Sequence, residues 1–301
     1  MPAPCGFLVL DKPAGPTSHG CVAAVRRCYG LRRVGHGGTL DPAVTGVLPI
    51  AVGSATRLLP YLSGTKAYRG IVQLGVSTNS DDLEGTVLAR HNPPALSSAA
   101  LEAALEPLRG AILQRPPQVS AVHVDGERAY VRARRGEAMA LEPRAVTVEL
   151  LRLLAWDPES GELEIEVRCS AGTYIRSLAR DLGESLGCGG ALARLRRTEA
   201  LGFNLEGAVP LEQLDGGAPP PLRDPLEALG HLQRRSLTPE EMAPWSCGRP
   251  LAAEPQPAGA ALEFPEAQPV AILRPDGSLA GIAQGDPRGQ LQPRLVFDAA
   301  G

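Results

Sequence analysis

The octapeptide Gly35-His36-Gly37-Gly38-Thr39-Leu40-Asp41-Pro42 sets one carboxylate among residues that shape backbone rather than fill space. Gly35, Gly37 and Gly38 permit close backbone approach, and Pro42 biases Asp41 towards an extended conformation, so the carboxylate is expected at a fixed angle. Taken alone, paired glycines and Asp-Pro are also ordinary turn chemistry. Two further residues change that balance. Tyr68, flanked by Lys66 and Arg69 in a chain with 4% aromatic residues, is either a strand tyrosine or a platform for stacking on a nucleobase. Arg176 is expected in the first turn of a helix, where a cation opposes the helix dipole unless an anion is near, and this makes it the best partner for Asp41. One carboxyl where a loop meets the core, beside an arginine and an aromatic ring, suits acid or base work by a group whose surroundings shift it.

Other chemistries lack their residues. There is no G-x-x-x-x-G-K-[ST] phosphate cradle and no G-x-S-x-G elbow. A hydrolase with paired carboxylates would need a second acid, for which Asp81, Asp82 and Glu84 are only loose candidates. The acidic stretch from Thr78 to Gly85 lacks calcium-loop spacing. The six cysteines contain no C-x-x-C pair and the five histidines no ligand spacing, so reduced thiols, no metal and no cofactor are expected. No run is long and apolar enough for a membrane span, and the N-terminal apolar patch is too short for a signal peptide; a cytoplasmic protein is expected. The net charge of −3 opposes a nucleic-acid partner only weakly, because Arg26, Arg27, Arg32, Arg33 and His36 cluster just before Asp41.

The elements that must position these residues follow from periodicity. Strands are expected over 7–10, 67–74, 146–156 and 163–169, and helices over 19–29, capped by Thr17 or Ser18, over 99–108, and from Ile175 to about Leu186. The run Arg128, Arg132, Arg134 and Arg135 reads either as an element that clamps RNA or as a charged helix surface. Arg194, Arg196 and Arg197 form a last basic block. After the turn-rich stretch 216–221, short apolar segments at 269–273, 279–282 and 295–297 suggest a small β-rich domain, with 253–268 a Pro- and Ala-rich insertion.

Several blocks in order, GFLVLDKPAGPTS at 6–18, GHGGTLDPAVTGVLP at 35–49, KAYRGIVQLG at 66–75, 116–126, AGTYIRSLARDLG at 171–183 and 195–203, make the chain resemble the bacterial tRNA pseudouridine synthase B family. The resemblance implies an α+β fold: a catalytic domain over 1–230 with a mixed, mainly antiparallel sheet, and a PUA-like RNA-binding domain over 231–301. It implies isomerisation of uridine at position 55 in the T-arm of tRNA by base flipping, without a cofactor and without a protein partner, by a monomer. Carried over by position, Asp41 becomes the catalytic carboxylate, Tyr68 the ring against the target base, and Arg176 the group that orients Asp41. His36 and Lys12, the latter in the KP motif, are expected to contact the RNA or flank its site, and Tyr174 and Arg196 are assigned to substrate binding. The sequence departs from the family pattern at Ala43-Val44, where Leu-Ala is usual, at Val119, where an aromatic residue is common, and at His123, where lysine is common. An RNA-binding protein without chemistry is the competing reading, and the presence of Asp41, Tyr68 and Arg176 together argues against it.

Overall fold

The computed structural model describes residues 4–297 apart from 94, 125, 138, 253–267 and 288. Its large sheet is built around β1 (Gly6–Lys12), β2 (Val34–His36), β3 (Thr45–Val52) and β4 (Lys66–Leu74). β1 pairs antiparallel with β3, and the strand Gly190–Ala200 then joins β3 to β4. Beyond β4 lie Glu162–Cys169, Arg144–Asp157 and the edge strand Gly110–Gln114, all antiparallel. Among the described residues two strand pairings in this sheet are parallel, β3 with Gly190–Ala200 and β1 with Val209–Pro210, so it is mixed and mainly antiparallel as expected.

Apolar alternation explains which faces are covered. Leu163, Ile165 and Val167 point inward from their strand and pack with Val72, Leu74 and Val148. Against them lie helix α4 (Ile175–Ser185), through Ile175, Leu178, Ala179 and Leu182, and α2 (Ser98–Leu105), through Leu101 and Leu105. Helix α1 (Ser18–Tyr29) buries Cys21, Val22, Ala24 and Val25 against Leu8, Leu10, Leu48 and Ile50. Thr17 is its N-cap, accepting from the Gly20 N–H at 3.0 Å, and Gly30 ends it in the left-handed region at φ 63°. With Thr17 as the cap, Ser18 is left for another task.

A second sheet contains Gln233–Ser236, Pro269–Leu273, Leu279–Gly285, Gln290–Val296 and Leu251–Ala252. Trp245 anchors its core, with its indole N–H donating to the Ala280 carbonyl at 3.1 Å. The last strand starts earlier than expected, at Gln290, because the register carries Leu291 as well as Leu295 into the core. Most of the expected insertion, 253–267, lies outside the described residues. The stretch 216–221 leads back to the first sheet: the Tyr29 hydroxyl bonds the Pro220 carbonyl, and Phe7 and Arg223 exchange backbone bonds at 3.0 and 2.8 Å. One apolar cluster then joins the sheets, with Phe7, Val47 and Leu58 on one side and Ala271, Ile282 and Leu295 on the other.

Gly46 is where β3 runs directly against Arg197 of the Gly190–Ala200 strand. It sits at φ 102°, and a Cβ there would lie 2.1 Å from the Arg197 carbonyl oxygen. Gly46→Ala is therefore expected to cost about 3 kcal/mol, combining backbone strain with overpacking. Chemical denaturation would measure it; an unchanged midpoint would show that the strands can part at no cost.

Candidate active site

The loop from Gly38 to Val44 leaves β2 and returns into β3, and side chains from distant elements hold the carbonyls of Gly38, Thr39, Leu40, Pro42 and Val44. The Ser18 hydroxyl donates to the Leu40 carbonyl at 3.0 Å and accepts from the Leu40 N–H at 2.8 Å. The Lys12 ammonium, fully buried, donates to the carbonyls of Pro13, Pro42 and Val44 at 2.8, 2.9 and 2.8 Å. Arg197, also fully buried, donates to the carbonyls of Val47 at 2.7 Å, Gly38 at 3.1 Å and Thr39 at 3.5 Å. Within the loop, the Val44 N–H closes a turn onto the Asp41 carbonyl at 3.1 Å. The Asp41 backbone is thus clamped before and after the residue, while its side chain remains 47% exposed, enough to meet a ligand.

Arg176 meets that side chain, with its Nη2 3.0 Å from Asp41 Oδ2. The same fork donates to the Ser80 and Val119 carbonyls, each at 2.9 Å, and lies 3.5 Å from Asp82 Oδ2. One turn along α4, Arg180 pairs with Asp81 at 2.8 Å. The acidic loop is thereby tied to α4 through two arginines four residues apart, on one helix face. Asp82 holds Arg176 from behind and Asp41 meets it in front. The Tyr174 backbone at the start of α4 is fastened too, its N–H and carbonyl both bonded to the Gln114 amide at 2.8 and 3.1 Å.

Asp41, Tyr68, Tyr174 and Arg176 all line one cleft of about 450 Å³, together with Lys66 and the apolar Leu192 and Leu195. A second cavity of about 420 Å³ lies on the other side of Asp41 and Arg176, walled by the 79–86 loop. Tyr68 is 6% exposed, and burial pushes its phenol above the ordinary value, opposed by Arg197. The ring therefore stays neutral at physiological pH. Helix α3 (Ala129–Arg134) contributes Tyr130 and Arg134 to the cleft wall, with the guanidinium 5.4 Å from the Tyr130 ring centre. Elsewhere in that basic run, Arg132 and Arg135 form ion pairs with Glu137, and Arg135 also with Glu127.

The remaining expected site residues lie around this cleft rather than in it. Lys12 is an internal brace, occupied by three carbonyls. Arg196 is on the neighbouring surface, paired with Asp11 at 2.7 Å. His36 is half-buried on β2, its ring edge against His19 with centres 5.3 Å apart, and its Nδ1 accepts from the Gly38 N–H at 3.3 Å. Burial and the nearby His19, Arg197 and Lys66 push its pKa down. Sequence reasoning missed Ser18 and Arg197 as loop braces and Asp82 as the rear support of Arg176. Arg197 gave a partial signal as part of a basic block. Its inward direction could not be read because register shifts on either side, between Leu192 and Arg194 and between Arg197 and Glu199, interrupt the two-residue alternation.

This fold is that of pseudouridine synthases. A structure titled "Structure of H/ACA RNP bound to a substrate RNA containing 2'-deoxyuridine" aligns with 97% of the chain and 84% of its own length, at TM-score 0.71 and 24% identity. "Crystal structure of the archaeal box H/ACA sRNP Nop10-Cbf5 complex" aligns over 97% and 86% at TM-score 0.69 and 26% identity. Residues 26–175 match the TruB family pseudouridylate synthase N-terminal domain and residues 176–218 the tRNA pseudouridylate synthase B C-terminal domain. A tRNA pseudouridine synthase B of Parasynechococcus marenigrum (strain WH8102) is 62% identical over the whole of both chains. The chain belongs to the TruB family.

The lowered His36 pKa has a defined sign. Between the folded value and the ordinary 6.5, the unfolded chain binds more protons at this site, so stability falls as pH falls through that window. Wild type should lose thermal midpoint relative to His36→Asn below pH 6.5 and match its trend above about pH 7.5. Parallel curves at all pH values would remove His36 as the titrating group.

Proposed function

We propose that this chain isomerises uridine to pseudouridine in tRNA, at position 55 of the T-arm, and acts as a monomer in the cytoplasm. The observation that carries the reading is the Asp41–Arg176 ion pair at the rim of a cleft that also contains Tyr68. Among the described residues no helix is long and apolar enough to cross a membrane. The H/ACA neighbour bound to a substrate RNA has the same fold, which supports RNA as the ligand class. The second sheet, over residues 233–296, is assigned to RNA binding outside the cleft.

The target uridine has to leave its stack to reach Asp41, and the rings of Tyr68 and Tyr174 offer surfaces that offset part of the lost stacking. In the reaction the bond from ribose carbon 1′ to N1 breaks, the uracil turns, and carbon 1′ bonds carbon 5; the proton displaced from carbon 5 leaves and N1 gains one. Atoms and electrons balance without a redox partner or nucleotide. Asp41 is paired with Arg176 at 3.0 Å on a backbone fastened on both sides, so its carboxylate is already oriented when the glycosidic bond weakens. Tyr68, raised in pKa and neutral, serves as a ring and a hydrogen-bonding phenol rather than a resting base.

Incubation with an unmodified tRNA transcript, followed by pseudouridine mapping, should yield product at the T-arm; its absence would sink the proposal. Asp41→Asn should bring product to background while the tRNA Kd stays within about threefold. Loss of affinity along with product would mean Asp41 is a structural residue. Arg176→Lys should slow turnover by about 10²-fold or more, because a single ammonium cannot replace a fork shared among Asp41, Asp82 and two carbonyls. Unchanged turnover would take Arg176 out of the mechanism.

A further inference from the structure

Lys66 is a cleft cation that, among the described residues, neither the Asp41 loop nor a carboxylate engages. It lies two residues before Tyr68 on β4, so both side chains leave the same face of the strand and both line the cleft. Among the described residues its ammonium has no hydrogen-bond acceptor and no carboxylate partner, although it is largely withdrawn from water. Arg197 stands beside it as a second cation, and its donors point to Val47, Gly38 and Thr39. Desolvation and this neighbour both weaken the charge of Lys66, and only the Cys169 thiol opposes them. Two adjacent, partly desolvated cations without a counter-charge are unfavourable unless an anion arrives.

Gly38 packs closely against both cations. Its φ is 137°, and a Cβ there would sit 3.2 Å from Lys66 Nζ and 3.7 Å from Arg197 Nη1. A side chain at this position would crowd the Lys66 ammonium, whereas glycine leaves it facing the cleft that it lines with Tyr68. The anion is not Asp41: that carboxylate is paired with Arg176 at 3.0 Å and, among the described residues, forms no ion pair with Lys66.

Resting on the synthase reading, we propose that Lys66, facing the cleft beside Tyr68 and backed by Arg197, forms a subsite for a backbone phosphate of the RNA strand immediately beside the extruded uridine. Tyr68 would then meet the base while Lys66, from the same strand, holds the adjoining phosphodiester. The spacing between the two side chains is set by β4, so the subsite selects how far the nucleotide enters.

The test uses an RNA stem-loop with a single neutral methylphosphonate placed in turn at the linkages 5′ and 3′ of the target uridine, against wild type, Lys66→Met and Lys66→Arg. One linkage should raise the wild-type Kd by about tenfold, as expected for losing a charged hydrogen bond. Lys66→Met should raise the Kd for all-phosphate RNA by a similar factor and lower the slope of log Kd against log salt by about 0.7. The variant should then be indifferent to the methylphosphonate at that same linkage. Lys66→Arg should recover most of the affinity and the salt slope, and matching circular dichroism would show that the fold is kept. Additive losses at both linkages, or a Lys66→Met protein that turns over slowly with Kd and salt slope unchanged, would overturn the assignment. Linkage-specific binding by wild type that yields no pseudouridine would instead sink the synthase reading and leave the subsite standing.

Discussion

The structure depends on a requirement of backbone chemistry: the carbonyls of the Asp41 loop, which dips into the protein, must find donors there. A buried carbonyl without a partner costs about 1–3 kcal/mol, and the segment from Gly38 to Val44 presents several in succession. Lys12, Ser18 and Arg197 satisfy them from β1, α1 and the Gly190–Ala200 strand. Burying an ammonium or guanidinium is costly by itself, but Lys12 has three carbonyl acceptors and Arg197 has three as well, which offsets much of that cost. The result is a rigid turn whose one outward-facing charge is Asp41.

Arg176 links this turn to the other half of the sheet. Its four acceptors come from three separate segments, the Asp41 turn, the Ser80–Asp82 loop and Val119, so the arginine fixes their relative positions as well as the Asp41 charge. A charged group in the first turn of a helix with the wrong sign for the dipole is tolerated because two carboxylates face it. The cost of placing it there is offset within the same site that uses it.

Charge in the cleft is arranged by depth. Arg197 and Lys12 are fully interior and engaged with backbone, Arg176 is engaged with carboxylates, and Lys66 stands between Arg197 and the open cleft. A chain of net charge −3 can therefore present a strongly positive interior to an anionic polymer. Net charge describes the whole surface, whereas binding depends on which side chains line the site.

By itself the sequence located several of the longer elements and singled out the carboxylate proposed here as the reacting group. Strand alternation and helix periodicity located β1, α1, β4 and α4 to within a few residues, because burial on one face writes a repeat of fixed period. The glycines and Pro42 around Asp41 marked a shaped turn, and the unfavourable position of Arg176 pointed to an anionic partner. Only the tertiary structure decided what each basic residue faces. Lys12 sits in a motif that reads as RNA-contacting, yet it is interior and occupied by carbonyls from a loop thirty residues away. Arg196 and Arg197 are neighbours in sequence, one paired with Asp11 at the surface and the other sealed behind Gly38, and the register shifts around them hide which is which. Local pattern reports which face of an element is buried; it carries no information about which distant backbone or carboxylate meets that face, and here those meetings decide which of the cations hold the loop and which face the cleft.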